Sequence, residues 1–552
     1  MTRFLACLGA VLVCAGVAFP AHAQKDTLTI GLTQFPSTFN PHIDSMLAKS
    51  YILAMTRRSI TTYDPSWTLV CQLCVALPTL ENGKAKIVDL PNGKKGMQLT
   101  VQLRKDAKWG DGTPVTVKDV VFTWEVGRHE KTGVSDIEGF RRILKIEPID
   151  DHNFTMTIDR VTFKYNDMTG MDLLPAHLEA KAFADPATYK TKTAFDTDTA
   201  NPGLYFGPYR ITQVSIGSHV VLEPNPTWYG QKPYFKRIVV KVIGNTAALE
   251  ANLLSGGVDY VAGELGLSLD QALAFETRHK GKYNIVYKAG LIYEHIDVNL
   301  DNPLLKDRRV RQALMFALDR ADLVKQLFAG RQPVADGQVS PLDWMISADV
   351  PKYGFDPKRA AELLDQAGWK PGAGGVRVNA KGERLVLELM TTAGNRSREL
   401  VQQVLQNQWR KVGIDVRLKN EPARVFFGET VTRRKFPALA MFAWLSAPES
   451  VPRSTLHSEH IPSAKNNFAG QNYPGFANPE MDKLLDAIEI ELDKEKRRAL
   501  WQRLQTLYAT ELPALPLFFR ADPFIMPLWL KGVEPTGHQY TSTQRVEFWR
   551  AE

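Results

Sequence analysis

Cys71 and Cys74 stand at C-x-x-C spacing. In an oxidising compartment such a pair either closes a local disulfide or works as a redox couple. A redox couple wants a helix start inside a small βαβ unit, where the helix terminus lowers the thiol pKa. The surrounding SWTLVCQLCVALPTLENG offers no such setting, so a structural disulfide or two free thiols is expected. His457 and His460 flank Glu459 at i, i+3 spacing. They would need further ligands and an aligning helix to hold a metal, and Pro462 with its neighbouring serines predicts a loop, so no metal site is expected. Arg424, in Glu421-Pro422-Ala423-Arg424, and Arg453 carry the planar fork that suits a carboxylate or phosphate, with an ordinary surface ion pair as the alternative for each. Trp444, Tyr473 and Trp109 can stack on a planar or sugar ring, or fill a core. No GxSxG elbow, HExxH, P-loop or GxGxxG after a strand is present. Triads assemble from distant residues, so this excludes only enzymes that carry such motifs.

The elements around these residues can be read from periodicity. Residues 292–300 (IYEHIDVNL) alternate, placing Ile292, Ile296, Val298 and Leu300 on one side and Tyr293, His295, Asp297 and Asn299 on the other, which predicts a strand. After Asp301, Asn302 and Pro303 the period changes: Val310, Ala313, Leu314, Ala317 and Leu318 share a helical face, with Asp307 as cap. A second short helix carries Leu323, Val324, Leu327 and Phe328, with Gly330 as its stop. Near the start, residues 27–32 (TLTIGL) predict a strand, followed by the loop QFPSTFNPH, which Pro36 and Pro41 keep irregular. Such a loop either lies at a ligand-binding strand edge or is an ordinary connection. Residues 99–103 predict a strand, Trp109 to Pro114 a tight turn, and Thr116 with Asp119 a capping box before a helix bearing Val117, Val120, Val121 and Trp124.

Residues 4–19 are apolar, preceded by Arg3 and followed by Pro20 and the small-residue site Ala21-His22-Ala23. This predicts a cleavable secretory signal over 1–23, too short to span a membrane. Val13 before Cys14 does not suit a lipoprotein anchor. Taking 23 residues from 552 leaves 529, too many for one compact core, so two or three lobes are expected. The formal charge of +8 becomes +7 without Arg3, with no long basic run, and nucleic acid binding is not suggested.

The segment LTVQLRKDAKWGDGTPVTVKDVVFTWEVG resembles the signature of the solute-binding proteins of dipeptide and oligopeptide ABC transporters, the extracytoplasmic family 5 type. Further matches follow in order: Gly207-Pro208-Tyr209; Asn225-Pro226 with Trp228-Tyr229; Leu254 to Asp259; Arg309 to Ala313; Ala317 to Arg320; Asp356-Pro357 with AAELLDQAGW; Asn478-Pro479; and Leu512-Pro513 with Pro516-Leu517. No single motif carries the resemblance; their order does.

The resemblance implies an α/β, periplasmic-binding-protein-like two-lobe fold with an extra domain inserted in lobe I. The expected division is lobe I from 24–70, 204–290 and 520–552, the extra domain II over 71–203, and lobe III over 291–519. It implies a monomeric periplasmic receptor without cofactor or catalytic step, which takes a peptide or other small polar solute and passes it to an inner-membrane ABC permease complex. The rivals are a secreted hydrolase on a similar scaffold and a periplasmic chaperone or sensor partner. By resemblance the ligand segment runs from Met441 to Tyr473 and includes Trp444, Ser446, Glu449, Arg453 and Tyr473. Peptide receptors of the family place an aspartate after the tryptophan for the peptide ammonium group; here Leu445, Ser446, Ala447, Pro448 and Glu449 follow. Either Glu449 replaces that carboxylate, or the solute carries no ammonium group. Family position also places Glu264 at the cleft, with helix capping as the alternative, and Asn299 beside the hinge.

Overall fold

The computed structural model describes residues 25–44, 46–422, 425–466, 468 and 470–552. The expected signal segment therefore lies outside the described residues.

The first strand among the described residues is β1 (Thr27–Leu32), whose alternating apolar residues Leu28, Ile30 and Leu32 are fully buried. A short hairpin, β2 (Thr61–Tyr63) and β3 (Leu69–Cys71), ends at the cysteine pair. Next come β4 (Ala85–Asp89), β5 (Lys95–Gln102), β6 (Ile143–Pro148) and β7 (Asn153–Ile158), which form an antiparallel sheet in the order β4-β5-β7-β6. The helix Val117–Arg128 lies between β5 and β6 in sequence and starts at the expected Thr116–Asp119 capping box.

The chain then returns through β8 (Tyr209–Ser215), β9 (His219–Pro224), β10 (Arg237–Val242) and β11 (Tyr260–Val261). It crosses on β12 (Tyr283–Val298), which begins well before the alternation at Ile292. The small hairpin β13 (Lys370–Pro371) and β14 (Arg377–Val378) precedes β15 (Val386–Thr392), β16 (Asp415–Glu421) and β17 (Leu439–Leu445). The chain crosses back on β18 (Ala514–Pro527).

One ten-stranded sheet runs β16-β15-β17-β12-β18-β11-β1-β10-β9-β8. The two long strands pair antiparallel at its middle, and their register shifts between Ala289 and Tyr293. Such a shift bends a strand and increases its twist. Gly290 permits a close backbone approach at this bend, because a Cβ there would collide with the Gly537 carbonyl oxygen.

Apolar packing follows the same division. One cluster joins β1 and β8–β10 to the C-terminal Trp549; a second joins β5–β7 to Trp109; a third joins β15–β17 to the helices Arg308–Phe316 and Arg396–Lys411. Asp307 and Asp356 cap their helices by accepting from the Arg309 and Arg359 N–H groups. Gly330 does not end its helix alone: Ala329 already takes the left-handed turn at φ 49°, and Gly330 follows at φ 71°.

Candidate functional site

A cavity of about 1140 Å³ opens between the two halves of the ten-stranded sheet. Its walls come from Ser50 and Arg57 after β1, from the 159–172 segment after β7, from Leu445 to Ser454 after β17, and from Tyr540 near the C-terminus. A second cavity of about 140 Å³ shares Leu445, Ser450, Val451 and Ser454 with it, forming a side pocket. A large concave site with a few convergent polar groups is the usual form of a small-molecule site.

The alternation of β17 places Trp444 and Phe442 on one face, where Trp444 stacks on Tyr473 with ring centroids 5.7 Å apart and planes 29° apart. Phe442 meets Trp444 edge-on at 5.3 Å. Trp444 is half-buried and, with Ser446, lines the side pocket. Tyr473 is buried behind it, and burial pushes its phenol up.

The rest of the side pocket comes from a stretch without periodicity. Asp343 lines it and is 6% exposed. Its Oδ1 accepts from the Met345 N–H at 3.1 Å. Burial, with the Glu449 charge added, pushes the Asp343 carboxyl up to about 6. The carboxylate in this pocket does not follow Trp444 but lies about a hundred residues before it, in 338-QVSPLDWM-345, where no local signal marks it. Glu449 stands at φ 56°, and its Oε1 accepts from Trp344 Nε1–H at 2.8 Å.

Arg453 faces the large cavity, but carboxylates already surround its guanidinium: Glu459 at 2.8 Å, Glu489 at 3.7 Å, and Asp486 by a direct hydrogen bond. Asn299 is buried and spent on its turn, with Nδ2 donating to the Phe436 carbonyl at 2.6 Å and Oδ1 accepting from the Asp301 N–H at 3.0 Å. Of the residues that share the Asn299 side of the strand, Tyr293 reaches the side-pocket wall, while His295 and Asp297 are buried together at 3.1 Å. Trp109 is core, packed edge-on against Phe206. Arg424 lies outside the described residues, as does the side chain of Glu264. His457 and His460 sit in short turns, edge-on at 6.1 Å. Cys71 and Cys74 form a disulfide just after the β2–β3 hairpin.

The large cavity carries both signs of charge. Arg57 donates to Asp172 at 2.9 Å, and Ser59 Oγ donates to the same carboxylate at 2.5 Å. Arg160 pairs with Asp159 at 2.7 Å. Each of these charges has a counter-charge within the wall, as a buried ion requires.

Two α/β halves joined by paired crossover strands, with a cavity between them that carries charges of both signs, define a bilobed solute-binding receptor. The chain belongs to the bacterial extracellular solute-binding proteins, family 5, whose model matches residues 92–461. The oligopeptide-binding protein AppA of Bacillus subtilis is 26% identical over 532 residues, which cover 95% of this chain and 92% of AppA. The oligopeptide binding protein of Thermus thermophilus, solved with a pentapeptide, is 28% identical with a TM-score of 0.71 over 96% of both chains. NikA of Brucella suis, solved with Fe(III)-EDTA, shares the fold at 20% identity, with a TM-score of 0.77 over 95% of this chain and all of NikA. No helix among the described residues is long and apolar enough to cross a membrane.

Proposed function

We propose that this protein is a monomeric periplasmic receptor that closes its lobes on a peptide or other small polar solute and delivers it, unaltered, to an inner-membrane ABC permease. The observation that carries this reading is the cavity of about 1140 Å³ walled from both sides of the β12–β18 crossover. A cavity of that size buries most of a short peptide. The likeness to two oligopeptide receptors over nearly the whole chain supports the peptide class. Lobe I is assigned to 24–70, 204–290 and 520–552, the extra domain to 71–203 and lobe III to 291–519.

In the site, Trp444 stacks on the solute while Tyr473 backs it, Ser446 offers a hydroxyl, and Asp343 receives a donor end. Glu449 contributes to the field at Asp343 rather than touching the solute. Arg453, held by three carboxylates, shapes the wall.

Native mass spectrometry of the protein isolated from its own cell envelope is the direct test. A monomer carrying a peptide-sized adduct that dissociates without change of mass is expected. A monomer that carries no adduct and shows no heat of binding with tri- to pentapeptides would overturn the peptide reading. Loss of the adduct with appearance of fragments would turn the assignment to a hydrolase.

A further inference from the structure

The segment that follows β7 lines the cavity, with Phe163 and Lys164 among its wall residues, and also reaches across to the opposite half of the molecule. Phe163 is 8% exposed and belongs to an apolar cluster with Met345, Leu456, Met481, Leu485 and Trp501. Among the described residues it is the only buried member of that cluster from before β12. The Arg497 guanidinium lies over its ring, 4.3 Å from the centroid. Its backbone N–H donates to the Glu489 carbonyl at 3.1 Å. Glu489 is in the last turn of the helix Pro479–Ile490, where carbonyls have no partner within the helix.

The next residue adds a second crossing. Lys164 Nζ donates to the Pro448 carbonyl at 3.2 Å, while Asp167 at 3.6 Å and the Tyr63 ring at 5.7 Å hold the ammonium from its own side. Parting the halves would strip the Phe163 ring of its cover, leave the Glu489 carbonyl without this donor and break the Lys164 bridge together.

We propose that Phe163 and Lys164, in the segment assigned to the extra domain, form a latch onto lobe III that holds the closed form together and sets the affinity for every solute, without selecting among solutes. This rests on the reading of the cavity as a solute cleft. A bound solute gains affinity in proportion to the population of the closed form, so a contact made only on closure acts on all solutes alike. Exposing a phenylalanine ring on opening corresponds to a factor of about ten to one hundred in that equilibrium.

The test compares full-length wild type, Phe163→Ala, Phe163→Leu and Lys164→Met, each stripped of solute, by small-angle X-ray scattering and by titration with trialanine. A larger radius of gyration is expected for Phe163→Ala, with partial recovery in Phe163→Leu and a smaller shift in Lys164→Met. An unchanged radius in solute-free Phe163→Ala overturns the latch. If that variant loses its melting transition, Lys164→Met decides by the same criterion. Weaker binding of trialanine with unmoved scattering also overturns it and makes Phe163 a solute contact. Wild type that ignores trialanine counts against the peptide reading, while the scattering comparison still judges the latch.

Discussion

Glu294 on β12 accepts a hydrogen bond from Arg398 Nε at 2.6 Å, with the glutamate side chain 2% exposed and the arginine 11%. Arg520 on β18 donates to the other carboxylate oxygen from Nε at 2.8 Å. The triad therefore ties both crossover strands to the helix Arg396–Lys411 beside the bend between the two halves.

Glu294→Gln is expected to lower stability by about 3 kcal/mol, because two guanidinium groups lose their shared counter-charge in a buried place. Urea unfolding at pH 7 measures this. Burial pushes the Glu294 carboxyl up, but the Arg520 and Arg398 charges outweigh burial and hold it below the ordinary value of 4.5. Its contribution is therefore present above pH 4.5 and lost as pH falls through the lowered value. The difference between wild type and Glu294→Gln should shrink in acid.

Trp444→Ala is expected to weaken solute binding by about 2 kcal/mol, roughly thirtyfold in Kd, since aromatic anchors dominate such contacts. The side chain is only half-buried, so the melting temperature of the empty protein should move little. Calorimetric titration beside a thermal melt separates the two. Equal losses of melting temperature with and without solute would assign Trp444 to the core.

Asp343→Asn is expected to stabilise the empty protein at pH 7 by on the order of 2 kcal/mol. Burial raises the wild-type carboxyl to about 6, so its contribution is present below the ordinary 3.8 and lost as pH rises through 6. Half-buried Asp522, also raised to about 6 by desolvation, acts in the same direction. His538 opposes them: burial lowers it to about 4, so its contribution is present above 6.5 and lost as pH falls toward 4. Melting temperatures of wild type and Asp343→Asn across pH 4 to 7.5 should diverge upward from about pH 4. Peptides with a free amine that rely on Asp343 should bind less tightly as pH falls below about 6.

Replacing Cys71 and Cys74 together by serine is expected to cost about 2 kcal/mol, the small value appropriate to closing a four-residue loop. Solute affinity should be unchanged. A large fall in affinity would make the bond part of the site.

The helix starts were legible because their causes are local. Asp307, Asp356 and the Thr116–Asp119 box each act within three residues, and the residue types identify them. The strand at Ile292 was legible for the same reason. Its length was not, because the earlier part of β12 is held by pairing with β18 rather than by its own alternation.

The class of protein can be read from the amino-acid order alone. The order of short motifs along the chain, none of them decisive alone, indicates a two-lobe receptor, and Trp444 and Tyr473 stand out by residue type as candidates to stack on a ligand, while their stacking on each other is a product of the fold. Which charges meet depends on the folded packing. It brought Asp343 to the pocket of Trp444, gave Arg453 to Glu459, Asp486 and Glu489, spent Asn299 on a turn and gathered Arg398 and Arg520 onto Glu294. Residue type and spacing fix hydrogen bonds that close within a turn of helix or a strand pair. A charge without such a local partner finds one through the packing of the lobes, which the side chain's own neighbours in sequence do not record.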